Sequence, residues 1–78
     1  METSGAGYDR GEYTTALDYS GSNLIYLGKT IPGLAKSAAT WQITKYTYSG
    51  ANLTDIQYPS GSREFSYIWN DRASYSYS

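Results

Sequence analysis

The sequence predicts an all-β domain: a small sheet or sandwich of about four antiparallel strands, with one short helix and an extended N-terminal arm. Three observations carry that expectation. Short runs dense in aromatic and β-branched residues recur along the chain, each closed by Gly, Pro, Ser or Asn. Tyrosine dominates the large side chains, with ten against one phenylalanine and two tryptophans, and a broad ring with a wet hydroxyl suits half-buried sheets. No repeat of roughly 20 to 50 residues is visible, which sets solenoids and propellers aside.

Residues 1–22 are rich in Gly, Ser, Thr and charge, and their large apolar residues Tyr8, Tyr13, Leu17 and Tyr19 stand apart. Such a segment cannot pack a core alone. It reads as an extended arm whose spaced aromatics anchor on a neighbouring surface, with residues 23–78 forming the β domain.

Within that domain, "NLIYLG" at 23–28 is apolar on both faces of an extended backbone, as in a buried strand. "KTIPGLAKSAAT" follows as a loop, with a turn at Pro32-Gly33 and a single helical turn over Leu34 to Ala38. "ATWQITKYTYSG" is the clearest strand. Trp41 and Ile43 share one of its faces, while Tyr46 and Tyr48 fall in phase with Gln42 and Thr44. This phasing implies either a bulge near Lys45 or a strand that is aromatic on both sides. Ser49 to Asn52 then supplies a turn of about four residues into "LTDIQY", and the pair reads as a β-hairpin.

After "PSGS", the stretch "REFSYIWNDRA" admits two periods. Phe65, Tyr67 and Trp69 alternate as in a strand. Phe65, Ile68, Trp69 and Arg72 instead follow one helix face. With Ser60 or Ser62 as cap, a helix of about two turns is the favoured reading, and "ASYSYS" becomes the final strand. Between them Trp69, Asn70, Asp71 and Arg72 combine an aromatic anchor, turn chemistry and an ion-pairing fork. They form a structural corner that launches the last strand. The competing reading has Trp69 and Arg72 grip a sugar, but helical phase puts Trp69 in the core with Phe65 and Ile68.

Chemistry is thinly supplied. The chain has no cysteine and no histidine, so disulfide and zinc staples are absent and no metal or cofactor is expected. Asp9, Glu12, Asp18, Asp55, Glu64 and Asp71 do not follow the spacing of a calcium loop. A nucleophile would have to rely on Lys36 beside Ser37, without the spaced serine-lysine motif. Facing carboxylates would need a cleft too large for so short a chain. "GAG" lacks the flanking strand and helix of a phosphate loop, and "NLT" at 52–54 has no secretion signal beside it. No catalytic residue is assigned, and the chain reads as a non-enzyme.

The formal charge is −1, with Arg10, Lys29, Lys36, Lys45, Arg63 and Arg72 dispersed. That argues against nucleic acid as a partner. The longest apolar run is far short of the roughly 20 residues of a membrane span, and the first residues lack a leader pattern. A 78-residue chain buries only roughly 60% of its unfolded surface, so its core is marginal and help from a partner is expected.

The order "YLGKTIPGLAKSAATWQITKYTY", then "LTDIQYPSG", then "FSYIWNDRASYSYS" resembles small proteins encoded among the virion genes of tailed bacteriophages. These share a Trp-x-Ile strand and a C-terminal W-x-x-R-A-S-like stretch. The resemblance covers roughly residues 24–78 and implies a structural subunit of a particle, associated with capsid, neck or tail and assembled in the host cytoplasm. Its partners would be other copies of itself and other virion proteins. Assembly contacts are expected at Tyr8, Tyr13, Leu17, Tyr19, Tyr46, Tyr48, Tyr75 and Tyr77. The alternative is a small module that binds a glycan or host receptor through exposed tyrosines.

Overall fold

A computed structural model describes residues 13–78. They form one mainly antiparallel sheet with a short 3-10 helix laid across it, a single layer of strands and not a sandwich. The strands are β1 (Thr14–Ser20), β2 (Asn23–Thr30), β3 (Ala39–Ser49), β4 (Asn52–Gln57) and β5 (Tyr67–Ile68), followed by the 3-10 helix Trp69–Ser74. β1 to β4 are neighbours in chain order, and β5 pairs with β3. Since β2 occupies one edge of the long β3, β4 and β5 share the other, β4 beside its second half and β5 beside Ala39 and Trp41.

The division at residue 22 is corrected. Thr14–Ser20, expected within the arm, is a full strand paired with β2 from Thr14↔Thr30 to Ser20↔Asn23. The segment's scattered apolar residues concealed it. One strand face of "TTALDYS" carries Ala16, which is small enough to be buried, and the other carries Leu17 and Tyr19, which stay exposed. Tyr8 and the rest of residues 1–12 lie outside the described residues.

The β3–β4 hairpin is as expected, with a tighter loop. Ser49 pairs with Asn52, leaving Gly50-Ala51 as a two-residue connection. Gly50 has φ 63°, and a positive φ at the first central residue alone is the II′ geometry whose twist matches the strands. The bulge lies between Thr47 and Tyr48, not near Lys45: Thr47 opposes Asp55, Tyr48 opposes Leu53, and Thr54 is the extra residue.

Pairing fixes which side chains share a face, because directly opposed residues point the same way and the strand period is two. One face carries Ala16, Gly28, Ile43 and Trp41, and the C-terminal segment covers it. Trp41 and Ile43 are 1% and 0% exposed, and Trp69 lies over them with its ring centroid 5.8 Å from that of Trp41. Gly28 makes this packing possible, because a Cβ there would stand 2.5 Å from Trp69 Cε3 and 3.0 Å from Trp41 Cε3. Trp41 Nε1 donates to the Ala35 carbonyl at 3.0 Å, tying down the 31–38 loop. In that loop Pro32-Gly33 forms the expected turn, with Gly33 at φ 95°, and Ala38 N bonds the Ala35 carbonyl in a second turn. Buried Thr30 donates to the Thr40 carbonyl at 2.9 Å, so its hydroxyl is satisfied.

The two-turn helix expected after Ser62 is corrected to a strand followed by a single 3-10 segment. Tyr67–Ile68 joins the edge of β3, and only Trp69–Ser74 is helical. Ser62 caps a turn instead, its Oγ accepting from Glu64 N at 3.2 Å. "ASYSYS" forms no long strand. It meets Tyr58 to Ser60 of its own chain through a bridge at Pro59↔Tyr77, with Tyr58 and Ser78 exchanging two backbone bonds of 3.0 Å.

Candidate interaction surface

Among the described residues the other face of the sheet is largely open. It carries Tyr13, Leu17 and Tyr19 from β1 and its approach, Leu24 and Leu27 from β2, Tyr46 and Tyr48 from β3, and Leu53 and Ile56 from β4. Leu17, Tyr19, Leu53 and Ile56 remain 51%, 54%, 47% and 53% exposed. Cross-strand pairing places Tyr19 opposite Leu24 on the first hairpin, and Tyr48 opposite Leu53 and Tyr46 opposite Ile56 on the second, so each hairpin presents an apolar cluster on this face. Few monomers leave patches beyond a few hundred Å² uncovered, and larger ones mark sites of association. Among the described residues, only the end of the face farthest from the two hairpin loops is capped: Phe65 stacks on Tyr13 at 5.4 Å, and Gln42 Nε2 donates to the Arg63 carbonyl at 2.7 Å.

Of the residues expected to make contacts, Tyr13, Leu17 and Tyr19 are exposed and Tyr46 and Tyr48 half-buried beside them. Burial, with Tyr58 and Tyr48 nearby, raises the Tyr46 phenol above its ordinary 10.0. Tyr75 and Tyr77 have different surroundings, inside the chain. Tyr75 Oη accepts from Ile68 N at 2.9 Å and its ring meets Tyr67 edge-on. Tyr77 Oη donates to the Arg72 carbonyl at 2.7 Å while its ring packs on Tyr26 at 5.7 Å.

The Trp69–Arg72 corner is a packing device. Arg72 Nε donates to Asp18 Oδ2 at 3.0 Å, its Nη1 bonds the Trp69 carbonyl, and its guanidinium lies 4.5 Å from the Trp69 ring centroid. These contacts fasten β1 to the C-terminal segment. Trp69 is 4% exposed, which removes the surface a stacked sugar would need. Asn70 donates its backbone N–H to the Lys36 carbonyl, and Asp71 accepts the Ser74 hydroxyl at its carbonyl.

Two sites escaped the sequence reading. The first is a repeat. Tyr19–Leu24 is YSGSNL and Tyr48–Leu53 is YSGANL, and the two stretches fold alike. Each has a two-residue loop opening on a glycine at φ 63°, a Tyr opposite a Leu, and one extra residue in the second strand, Ile25 or Thr54. Comparing the six-residue stretches directly would have found the first hairpin.

The second is a cleft of about 400 Å³ between these hairpins, lined by Asn23, Ile25, Tyr26, Lys45, Tyr46 and Tyr48 among others. It opens where pairing between β2 and β3 ends, at Tyr26↔Lys45, and each flanking hairpin carries a bulge, a feature that bends and twists a strand pair. No sequence period announces a cleft made by the end of a ladder.

Among the described residues no three acidic side chains gather as a metal would need, and no helix is long and apolar enough to cross a membrane. Comparison with protein-family models, with curated proteins and with solved structures found no match for this chain.

Proposed function

We propose that the chain is a non-enzymatic structural subunit of a phage particle, associated with capsid, neck or tail, which assembles through its open sheet face, its exposed strand edges and its N-terminal residues. The open face carries the proposal. Four large apolar side chains from the two outer strands stand about half exposed, and covering them would add to a small core the apolar burial it lacks, at roughly 25 cal/mol per Å². β4 is exposed along almost its whole length, and a free edge with unpaired amides can pair with another chain. The particle itself is inferred from the resemblance over residues 24–78, and a virion location follows from it.

Sedimentation of the full chain over a concentration series, followed by electron microscopy, tests the proposal. Self-association is expected, and Leu17→Lys with Ile56→Lys should weaken it at least tenfold at an unchanged denaturation midpoint. Association unaffected by both lysines would remove the open face from the assembly. A second reading, a glycan-binding module, is favoured by the cleft alone, where Tyr46 and Tyr48 stand beside Asn23 and Lys45. A monomer whose tyrosine fluorescence changes with added oligosaccharide would support that reading instead.

A further inference from the structure

The cleft between the hairpins is a gap inside the sheet. β2 continues past Tyr26 through Ile25, Leu24 and Asn23, and β3 continues past Lys45 to Ser49, but these two stretches do not pair with each other. Their outer edges are bonded to β1 and β4. Their inner edges therefore face one another across the cleft, and among the described residues their main-chain donors and acceptors meet no third strand. An extended polypeptide entering there would continue the ladder on both sides, a contact that backbone alone can make.

The chain carries a segment suited to this role. Residues 1–12, METSGAGYDRGE, hold one aromatic side chain, Tyr8, and three carboxylates, Glu2, Asp9 and Glu12, against a single Arg10. Lys45 is the one charged residue lining the cleft; its ammonium lies 5.5 Å from the Tyr77 ring centroid, and among the described residues no carboxylate pairs with it. The glycines at 5, 7 and 11 leave little side-chain bulk to exclude.

Direction favours the cleft of a neighbouring copy, because the chain would have to reverse ahead of β1 to reach its own. β1 runs from Thr14 at the far end of the sheet to Ser20 at the hairpin end, about 20 Å at strand rise. The first twelve residues thus join the sheet at the end opposite the cleft. Fully extended they reach roughly 40 Å, enough to enter the cleft of an adjoining copy. Donor at one end and acceptor at the other make a head-to-tail contact, which closes into rings or extends into filaments.

Resting on the reading of the chain as an assembly subunit, we infer that residues 1–12 of one copy insert as an extended segment between the hairpins of the next, with a carboxylate of that segment facing Lys45.

The absence of native cysteine makes the test direct. Full-length Gly7→Cys chains are mixed with Thr47→Cys chains, which carry the thiol in the cleft, or with Ser37→Cys chains, which carry it on the exposed loop at the other end. Circular dichroism first checks that each variant folds as the parent does. Under mild oxidation, disulfide-linked heterodimers should form several-fold more with Thr47→Cys than with Ser37→Cys, and adding Lys45→Glu to the Thr47→Cys chain should cut that yield several-fold. Equal yields at the two positions, in a chain that still self-associates, would overturn the insertion and leave the assembly reading standing. A Gly7→Cys, Thr47→Cys double variant that closes only within one chain would show each copy filling its own cleft and would overturn it too. A chain that remains monomeric at every concentration would overturn both.

Discussion

Gly28 and Tyr77 illustrate how much of this small core rests on single positions. Gly28 lies where two tryptophan rings converge, and an added Cβ at 2.5 Å from Trp69 Cε3 must displace one of them. Overpacking of this kind costs about 1–3 kcal/mol. Gly28→Ala should lower the stability of the chain by about that much in urea titrations, although Ala is the better strand residue by propensity. Tyr77 brings a pH dependence. Burial, with Tyr26 and Tyr75 adding to it and Arg72 opposing it, raises its phenol above the ordinary 10.0. The folded chain therefore holds the proton more tightly than the unfolded chain does. That contribution is whole below pH 10 and is lost as pH rises above it towards the folded value. Tyr77→Phe should be less stable than the parent at pH 8, by about 1 kcal/mol for the lost bond to the Arg72 carbonyl. The difference should shrink from pH 10 upward, as urea midpoints at pH 8 and 11 would show.

Each hairpin and the C-terminal segment reflects its own local rule. The two YSG-x-NL hairpins depend on Gly21 and Gly50 at φ 63°, where a Cβ would touch nothing within 4 Å. The cost of Gly→Ala there is purely conformational, about 1–2 kcal/mol. Gly21→Ala and Gly50→Ala should accordingly destabilise by similar amounts in denaturant titration, because the two turns are equivalent. The C-terminal residues are bound differently, through side chains more than a ladder. Removing Ser74 to Ser78 deletes the Tyr75 acceptor for Ile68 N, the Tyr77 ring on Tyr26 and the backbone bonds to Tyr58 and Ser60. The shortened chain should lose its cooperative thermal transition in circular dichroism. A transition at the parental temperature would show the segment to be dispensable.

At the scale of the whole molecule, a sheet with one covered face is an incomplete sandwich. The C-terminal segment closes one side, fastened by Arg72 to Asp18 across 54 residues of sequence, and among the described residues the other side is covered only at the end where Phe65 stacks on Tyr13. Deleting residues 1–12 should leave this architecture intact, since β1 begins at Thr14. A deletion of residues 1–20 removes a strand and should unfold it. Circular dichroism of the two truncations separates arm from strand. If the shorter truncation folds yet no longer self-associates, its residues act between copies.

The sequence by itself determined the all-β class, the β3–β4 hairpin and the Pro32-Gly33 turn, because each is written in a local pattern of period two or in a turn residue; it placed Trp69 in the core through a helical phase that also put Phe65 there, whereas Phe65 stacks on Tyr13 at the open face. It concealed β1, whose exposed Leu17 and Tyr19 and buried Ala16 do not look like a strand with a hydrophobic side. It also favoured a helix of about two turns within REFSYIWNDRA, where Tyr67–Ile68 instead completes the edge of β3 and only Trp69–Ser74 coils. The deciding contacts there are long-range, from Trp69 onto Gly28 and Arg72 onto Asp18. Which face is covered, where the β2–β3 ladder ends and how the hairpins splay to leave a cleft were decided by tertiary structure alone. These depend on the relative twist of strands far apart in the chain, and no local residue pattern encodes that twist.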